Sequence, residues 1–363
     1  MSRKISFILA SLGLIASSTA IYAHTPKSFD NALAVTIPNT TPGLEFSVTA
    51  LALRPSASNL NYTIYNQELP TQSPTWIEKE IKPNFGGAFG IGARYVFCGG
   101  KDINLYWTHL NTSTSTKITA PNADFFLGPD YEIGPDAIII RHATGNAAFK
   151  YDVVNLDTGQ RVDFGKYVEM RFFAGISSAS LREEVHARYS GTKPIPFAGP
   201  FSNKQKVSSR FNGIGPRFGF EADMATDYGF GFVAQGALST LIGATKAKTN
   251  YISNSPQLLA LFGQTLNYQT IEDKKIAQVV PALDGKLGVY YKTLIANCME
   301  AGLEAGWQAA VYMNAIQQYL PGTLVGSAAV TSLSTGGIFV GTMNHTQSNY
   351  SVQGPYLTAT LKL

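Results

Sequence analysis

Side chains alternate between apolar and polar with a period of two along several long segments of this chain. In the clearest segment, residues 101–108, Ile103, Leu105 and Trp107 share one face and polar side chains share the other. Residues 299–311 repeat the pattern, with alanine, leucine, tryptophan and valine opposed to glutamate and glutamine. A strand places successive side chains on opposite faces, whereas a helix repeats every 3.6 residues. The pattern therefore predicts an all-β protein.

The same alternation predicts about ten antiparallel strands, within a range of eight to twelve. They lie near residues 43–53, 86–97, 102–110, 148–156, 165–180, 207–222, 229–242, 279–293, 298–312 and 352–363. Several exceed ten residues, which is long for a soluble sheet but suits a strand tilted across a bilayer. Long polar loops separate them, in alternation with predicted tight turns at 98–101, 157–164, 223–228 and 294–297. Transmembrane β-barrels have this asymmetry, with short periplasmic turns and long extracellular loops.

Composition supports a wall that is apolar outside and polar inside. Charged residues make up 14% of the chain and aromatic residues 12%, and soluble domains typically carry about 25% charge. After residue 23, no segment reaches the roughly 18 consecutive apolar residues that a membrane-spanning helix needs. The net charge of +4 is spread along the chain without a basic block. This distribution argues against a nucleic-acid partner.

The first 23 residues have the features of a cleavable export signal. The basic pair Arg3–Lys4 precedes the apolar stretch Ile5–Ile15, and small residues follow it. The apolar stretch is too short to span a bilayer, so it predicts a removable signal with cleavage after Ala23 or, alternatively, after Ala20.

Residues 24–363 are then expected to form a single barrel domain in the bacterial outer membrane, with membrane lipid as a partner. The lumen-facing candidates are charged residues on the polar parity of the predicted strands: Arg94, Lys150, Asp152, Arg171, Arg217, Glu221, Lys286, Lys292, Glu300 and Glu304. A charge that faces lipid at mid-bilayer costs about 2–4 kcal/mol, which is why charges are assigned to the lumen. Ten strands lie between a side-chain-filled barrel of eight and an aqueous channel of sixteen. A narrow or partly occluded pore is therefore expected, unless further strands near 60–65 and 337–343 widen it.

No pattern in the sequence indicates catalysis, a metal or a cofactor. His109 and His186 fall near the predicted outer rim, where a nearby acid such as Asp124 or Asp130 would permit general-base chemistry. No spacing among the histidines suits a metal site. The sequence therefore predicts a protein that is not an enzyme.

Five stretches resemble the major outer membrane protein family of Legionella. They are Phe89–Phe97, Asp102–Trp107, Arg171–Gly175, Arg210–Gly219 and Val280–Gly288, and the Phe-Asn-Gly-Ile-Gly-Pro-Arg run within the fourth is the most specific. The resemblance covers nearly the whole mature chain. It implies an outer-membrane porin with an additional part in attachment to host cells, and it transfers no individual site residue.

The resemblance also implies cross-linking through cysteines, and Cys98 and Cys298 are the only two in the chain. Both fall in predicted turns that lie several strands apart, whereas a disulfide needs Cα atoms within about 7 Å. An intermolecular bridge, an internal bridge and two unpaired thiols all remain open.

Two functions are expected from these observations, in order. The first is a pore that passes small hydrophilic solutes by diffusion. The second is a surface barrel that acts mainly as an adhesin or structural protein, with long loops that bind a host or matrix partner. A homo-oligomer is compatible with either. A soluble secreted β-protein ranks last, because two-sided segregation on long strands predicts dependence on detergent.

Overall fold

The computed structural model describes residues 35–38, 41–66, 76–121, 126–129, 139–193, 199–254, 267–272, 275–296, 299–326 and 338–363. Residues 35–363 form one compact unit. The predicted signal peptide, residues 1–23, lies outside the described residues. In the part that is described, no helix is long and apolar enough to cross a membrane.

Strands account for most of the described chain and are numbered β1–β15 in chain order. The long ones are β2 (Gly43–Ala57), β5 (Gly86–Val96), β6 (Lys101–Thr119), β8 (Ile139–Phe164), β9 (Val168–Lys193), β10 (Gly199–Ala225), β11 (Phe230–Asn254), β13 (Ile276–Ala296), β14 (Met299–Gly326) and β15 (Ile338–Lys362). The short ones are β1 (Val35–Thr36), β3 (Asn61–Asn66), β4 (Ile77–Glu80), β7 (Phe126–Pro129) and β12 (Asn267–Glu272).

The ten long strands form a closed antiparallel ring. Each pairs with the next long strand along the chain, and β15 pairs back onto β2 from Tyr350 opposite Ala57 to Lys362 opposite Glu45. The backbone N–H of Leu363 extends this seam by donating to the carbonyl of Leu44 at 2.9 Å. Closure leaves no unpaired sheet edge in the wall. The predicted all-β antiparallel barrel of about ten strands is confirmed.

One predicted turn is wrong. Residues 157–164 were expected to form a turn, but β8 continues to Phe164, which lies opposite Val168 of β9, and the reversal occurs at residues 165–167. Asp157, which was assigned to this turn, is instead buried inside the barrel. Gly165, with φ of 72°, supplies the left-handed backbone conformation of the actual turn.

The two segments that could have added strands to the wall do not widen it. Strand β3, at residues 61–66, pairs with β4 and β7 and does not join the ring. Residues 338–343 are the first part of β15. The number of wall strands is therefore ten, and the lumen is correspondingly narrow.

A belt of exposed apolar side chains surrounds the barrel near the turn ends of the strands, and we call it the lipid belt. Its members include Phe46, Val48, Phe89, Ile91, Ile103, Leu105, Val154, Leu156, Phe172, Ile176, Ile214, Phe218, Phe232, Leu238, Ile242, Leu283, Leu287, Leu303 and Leu357. A continuous apolar band of this size matches the hydrocarbon of a bilayer, because transmembrane barrels carry such a band about 25 Å tall. The turn ends then face the periplasm and the other ends the exterior.

Beyond the lipid belt, the apolar and polar faces exchange places. Phe149, Leu181 and Phe211 are fully buried inside the barrel, although polar or charged residues next to them point outward. The long strands explain this change, since β14 has 28 residues and a strand needs only about 9–11 to cross a bilayer. The remainder of each long strand stands in water and packs an apolar core, as a soluble barrel does.

Candidate functional site in the barrel interior

A polar cavity of about 610 Å³ occupies the periplasmic half of the lumen. Its lining extends from turn residues such as Lys166 and Thr226 up to Tyr151 and Tyr312. Charged side chains from most of the wall strands project into it, because every second residue of a barrel strand faces inward. The cavity is the place where the lumen could hold water or a small solute.

One ion-pair network crosses the cavity from wall to wall. Arg171 donates from Nε to Asp102 Oδ2 at 2.7 Å and from Nη2 to Asp102 Oδ1 at 2.5 Å. Its Nη1 lies 3.7 Å from Glu221 Oε2, which also accepts from Arg94 Nη2 at 3.2 Å. Arg161 binds Glu169 at 3.0 Å and lies 3.8 Å from Asp102. Strands β5, β6, β8, β9 and β10 are thereby joined across the lumen.

Two smaller clusters complete the charged lining. Arg217 makes a two-pronged contact with Asp284, with Nη2 to Oδ1 at 2.8 Å, and its Nε lies 3.6 Å from Asp157. Lys286 binds Glu304 at 2.6 Å, and the hydroxyl of Tyr356 donates to the same carboxylate at 2.6 Å. Acidic and basic side chains thus pair with one another within the cavity.

An aromatic layer closes the cavity on its extracellular side, and it consists of Phe149, Tyr151, Tyr312 and Tyr350. The rings of Tyr151 and Tyr350 stack with centroids 6.3 Å apart, and the hydroxyls of Tyr151 and Tyr312 are 3.2 Å apart. Phe149 packs edge-on against Tyr350. Exposure of the four side chains is between 0% and 6%. Because the rings are buried against one another, the layer fills the lumen at this level.

Aliphatic side chains pack around the aromatic layer, and Leu110 and Leu181 are each opposite Tyr151 in the strand register. The same buried cluster includes Leu53, Leu110, Leu181, Leu241 and Ile316, none of which is exposed to solvent. The interior thus changes from a charged cavity to tightly packed aromatic and aliphatic side chains, among which polar residues such as Glu183 and Gln317 are also buried. These residues do not form a channel with a continuous polar lining.

The structure places eight of the ten predicted lumen residues around the cavity. They are Arg94, Arg171, Arg217, Glu221, Lys286, Lys292, Glu300 and Glu304. Lys150 and Asp152 point outward instead, which corrects their lumen assignment. They share the parity of Val154 and Leu156 of the lipid belt, while Tyr151 and Val153 between them are buried inside. The assignment failed because β8 passes from membrane to water here, where the apolar face turns inward.

His109 and Asp152 form a pair on the outer face of the barrel. His109 Nδ1 lies 2.6 Å from Asp152 Oδ1, and the His109 ring lies beside the rings of Phe89 and Trp107. The acids proposed from the sequence as histidine partners, at positions 124 and 130, lie outside the described residues. The pair faces away from the cavity in the lumen.

Cys98 is exposed in the turn between β5 and β6, and Cys298 lies outside the described residues. A cross-link through these cysteines stays a prediction. Non-reducing electrophoresis of membranes prepared with a thiol-blocking reagent would show oligomers if copies are bridged through them. Only monomer in that experiment, with Cys98 open to alkylation, would contradict the cross-link.

Two groups of interior residues were not predicted from the sequence. Asp157 and Arg161 were assigned to a turn, and the tyrosines of the aromatic layer were not recognised as lumen-filling. The parity of β8 carried the necessary signal, since Tyr151, Asp157 and Arg161 are all odd-numbered and face the same way as Val153. Extending the strand past the predicted turn would have placed Asp157 and Arg161 on the parity opposite to Lys150 and Asp152, and this conflict would have called the lumen assignment of Lys150 and Asp152 into question.

A closed ring of ten strands, a lipid belt and a charged interior define an outer-membrane β-barrel. The chain belongs to the family described as the Legionella pneumophila major outer membrane protein precursor, whose model matches residues 36–363. The protein therefore lies in the bacterial outer membrane. No curated protein matches the sequence.

Several solved structures are similar to this one. The outer membrane protease OmpT from Escherichia coli shares 10% identity, with 92% of this chain and 98% of that chain covered and a TM-score of 0.41. A Pseudomonas aeruginosa FadL homologue shares 10% identity over 88% and 90% of the two chains, with a TM-score of 0.23. The P. putida toluene transporter TodX shares 7% over 88% and 89%, with a TM-score of 0.22.

Proposed function

We propose that this outer-membrane barrel serves mainly as a closed surface platform whose extracellular wall binds a partner at the host or matrix surface. The observation that carries this proposal is the aromatic layer, which fills the lumen above the cavity. Diffusion of hydrophilic solutes needs a continuous polar path, and buried rings backed by leucines oppose one. The order of the two functions expected from the sequence is thereby reversed.

The length of the wall beyond the lipid belt supports a role at the surface. Strands β8, β9, β10, β11, β14 and β15 have 25 to 28 residues each, which is more than twice the length needed to cross a bilayer. A path across the membrane does not require barrel wall that extends into water beyond the bilayer. A rigid, polar, protruding barrel offers a large surface for a partner.

The proposed role is non-enzymatic. The histidine–carboxylate pair of His109 and Asp152 lies on the outer face, next to the lipid belt, and not in the cavity. Within the described ranges, no three His, Cys, Asp or Glu side chains are grouped so that they could hold a metal ion. Binding, and not bond-making, is the chemistry that these surfaces suit.

A second candidate, a porin-like path for small solutes, is favoured by the cavity itself. Its 610 Å³ volume and its mixed charges would accept water and small ions of either sign. The aromatic layer would then act as a constriction that must move before solutes pass. Conductance should be small and intermittent in that case.

Single-channel recording in a planar bilayer separates the two functions. The wild-type barrel should show no steady openings, and Tyr151→Ala with Tyr350→Ala should create them, because two of the four rings that fill the lumen are removed. Tyr291→Ala is the matched control, since this tyrosine is exposed on the outer face. Altered migration without boiling in electrophoresis would show that each variant is folded.

Steady wild-type openings of one size would contradict the closed platform and support the pore. A double variant that is folded and still closed would show that the aromatic layer does not seal the lumen.

A further inference from the structure

Four basic side chains lie side by side on the outer face of four neighbouring strands. In the strand register, Lys150 of β8 is opposite Arg182 of β9, Arg182 is opposite Arg210 of β10, and Arg210 is opposite Lys246 of β11. We call Lys150, Arg182, Arg210 and Lys246 the basic row. All four share the parity of the lipid-belt residues of their own strands, so all four point away from the lumen.

The basic row lies just beyond the extracellular edge of the lipid belt. On β8, β10 and β11, it is four residues from the last apolar belt residue, which is Val154, Ile214 or Ile242; on β9 it is six residues from Ile176. The outward positions between are polar or small, for example Asn212, and on β8 the acid Asp152, which pairs with His109, lies between Lys150 and Val154. A row at this level meets the headgroups of the outer leaflet and not its hydrocarbon.

Like charges placed directly opposite one another destabilise a sheet, so the basic row requires compensation. Carboxylates supply part of it: Glu184 binds Arg182, and Glu272 binds Lys246 at 2.6 Å. Both carboxylates also bind further lysines, Glu184 with Lys206 at 3.4 Å and Glu272 with Lys248 at 3.3 Å. Together with Asp152, which neighbours Lys150 on the outer face of β8, these six cations and two carboxylates leave the patch with three net positive charges.

The centre of the row is the least compensated part. Arg210 is exposed, and its Nε donates a hydrogen bond to Asn212 Oδ1 at 3.3 Å. Among the described residues, neither Arg210 nor Lys150 forms an ion pair. Two cations at the lipid surface therefore have donors that contact no carboxylate in the part of the chain that the structure describes.

We propose that the basic row binds the phosphate groups of a phosphorylated lipid in the outer leaflet. Guanidinium groups recognise phosphate with two parallel hydrogen bonds, and adjacent strands about 4.8 Å apart bring Arg182 and Arg210 close enough to share one phosphate. The whole row spans three such intervals, about 14 Å, which provides room for a second phosphate. Acyl chains of the same lipid would lie against the lipid belt directly below.

Position distinguishes this ligand from other polyanions. A sulfated polysaccharide would also be attracted to six cations, but it has no acyl chains that would pack against the adjoining lipid belt. Clusters of basic residues at the membrane surface typically mark sites for anionic lipid headgroups. The combination of phosphate-binding side chains with a belt immediately beneath them favours a lipid.

Native mass spectrometry of the delipidated full-length barrel in detergent tests this site. Diphosphorylated lipid A should bind with defined stoichiometry, and lipid A with both phosphates removed should bind at least tenfold more weakly. Arg182→Gln with Arg210→Gln should weaken binding of the diphosphorylated form at least tenfold. Lys117→Gln is the matched control, because Lys117 is an exposed outward lysine of β6 outside the row. It should change binding by less than twofold.

Three further results would each overturn the lipid site. They are equal binding of dephosphorylated lipid A, an unchanged affinity in the folded double variant, and displacement of the lipid by inorganic phosphate at equal concentration. Heparin binding that is lost in the double variant, without any specific lipid binding, would assign the row to a sulfated glycan instead. Electrophoretic migration before boiling again reports whether the variants are folded.

Discussion

Replacing Asp102 by asparagine is expected to destabilise the barrel by about 3 kcal/mol. Asp102 is 0% and Arg171 3% exposed, and two short charged hydrogen bonds join them. Removing one partner of a buried pair leaves the other charge uncompensated, which typically costs about 3–5 kcal/mol. The lower end applies here because Arg171 keeps Glu221 at 3.7 Å and Arg161 keeps Glu169 at 3.0 Å.

Equilibrium unfolding by denaturant, followed by tryptophan fluorescence in detergent micelles, measures this change. Asp227→Asn is the control, since the ion pair of Asp227 with Lys166 is solvent-exposed and such pairs contribute little. The double variant Asp102→Asn with Arg171→Met should recover part of the loss, because no buried charge is then left unpaired. An unfolding free energy for Asp102→Asn equal to that of the wild type would refute the reasoning that this network ties the wall strands together.

Two further predictions concern the lipid belt and the periplasmic turns. Phe218→Lys should lower the free energy of unfolding in vesicles by about 2–4 kcal/mol. Ser113→Lys, on the extracellular side of the lipid belt, should leave that free energy nearly unchanged. Equal effects of the two substitutions would contradict the assigned position of the lipid belt. The hydrogen bond from Lys166, at 2.8 Å, holds the pKa of Asp227 below its ordinary value of 3.8. The contact therefore stabilises the folded protein above that pH and is lost as the pH falls through the lowered pKa. In a carbon-13 titration, Lys166→Gln should raise the midpoint of Asp227, and an unmoved midpoint would count against the contact.

The reversal of apolar and polar faces beyond the lipid belt connects the two proposals. Inside the belt, the wall meets hydrocarbon and its lumen is charged. Beyond it, the same strands bury phenylalanine and tyrosine inside and present arginine and lysine outside. Because the strands pass from lipid into water at this level, aromatic rings face inward and form the aromatic layer. For the same reason, basic side chains face outward and form the basic row at the membrane surface.

The local pattern of the chain was sufficient to predict the barrel. Alternation along residues 101–108 and 299–311 defines strands without reference to any partner, because the side-chain period of a strand is a property of its own backbone. Ten strands with charges segregated to one parity then require a closed wall with a polar interior. Eight lumen residues, among them Arg94, Arg171 and Glu221, could be found in this way.

Only the tertiary structure decided which side of the wall each parity faces once the strand leaves the membrane. Lys150 and Tyr151 are neighbours in an alternating segment, and the sequence does not say that water begins at their level. The pairing of Lys150 with Arg182, and of Arg182 with Arg210, likewise depends on register across strands that are far apart in the chain. Period two specifies that two faces exist, but the surrounding solvent and the closure of the ring determine which face is buried.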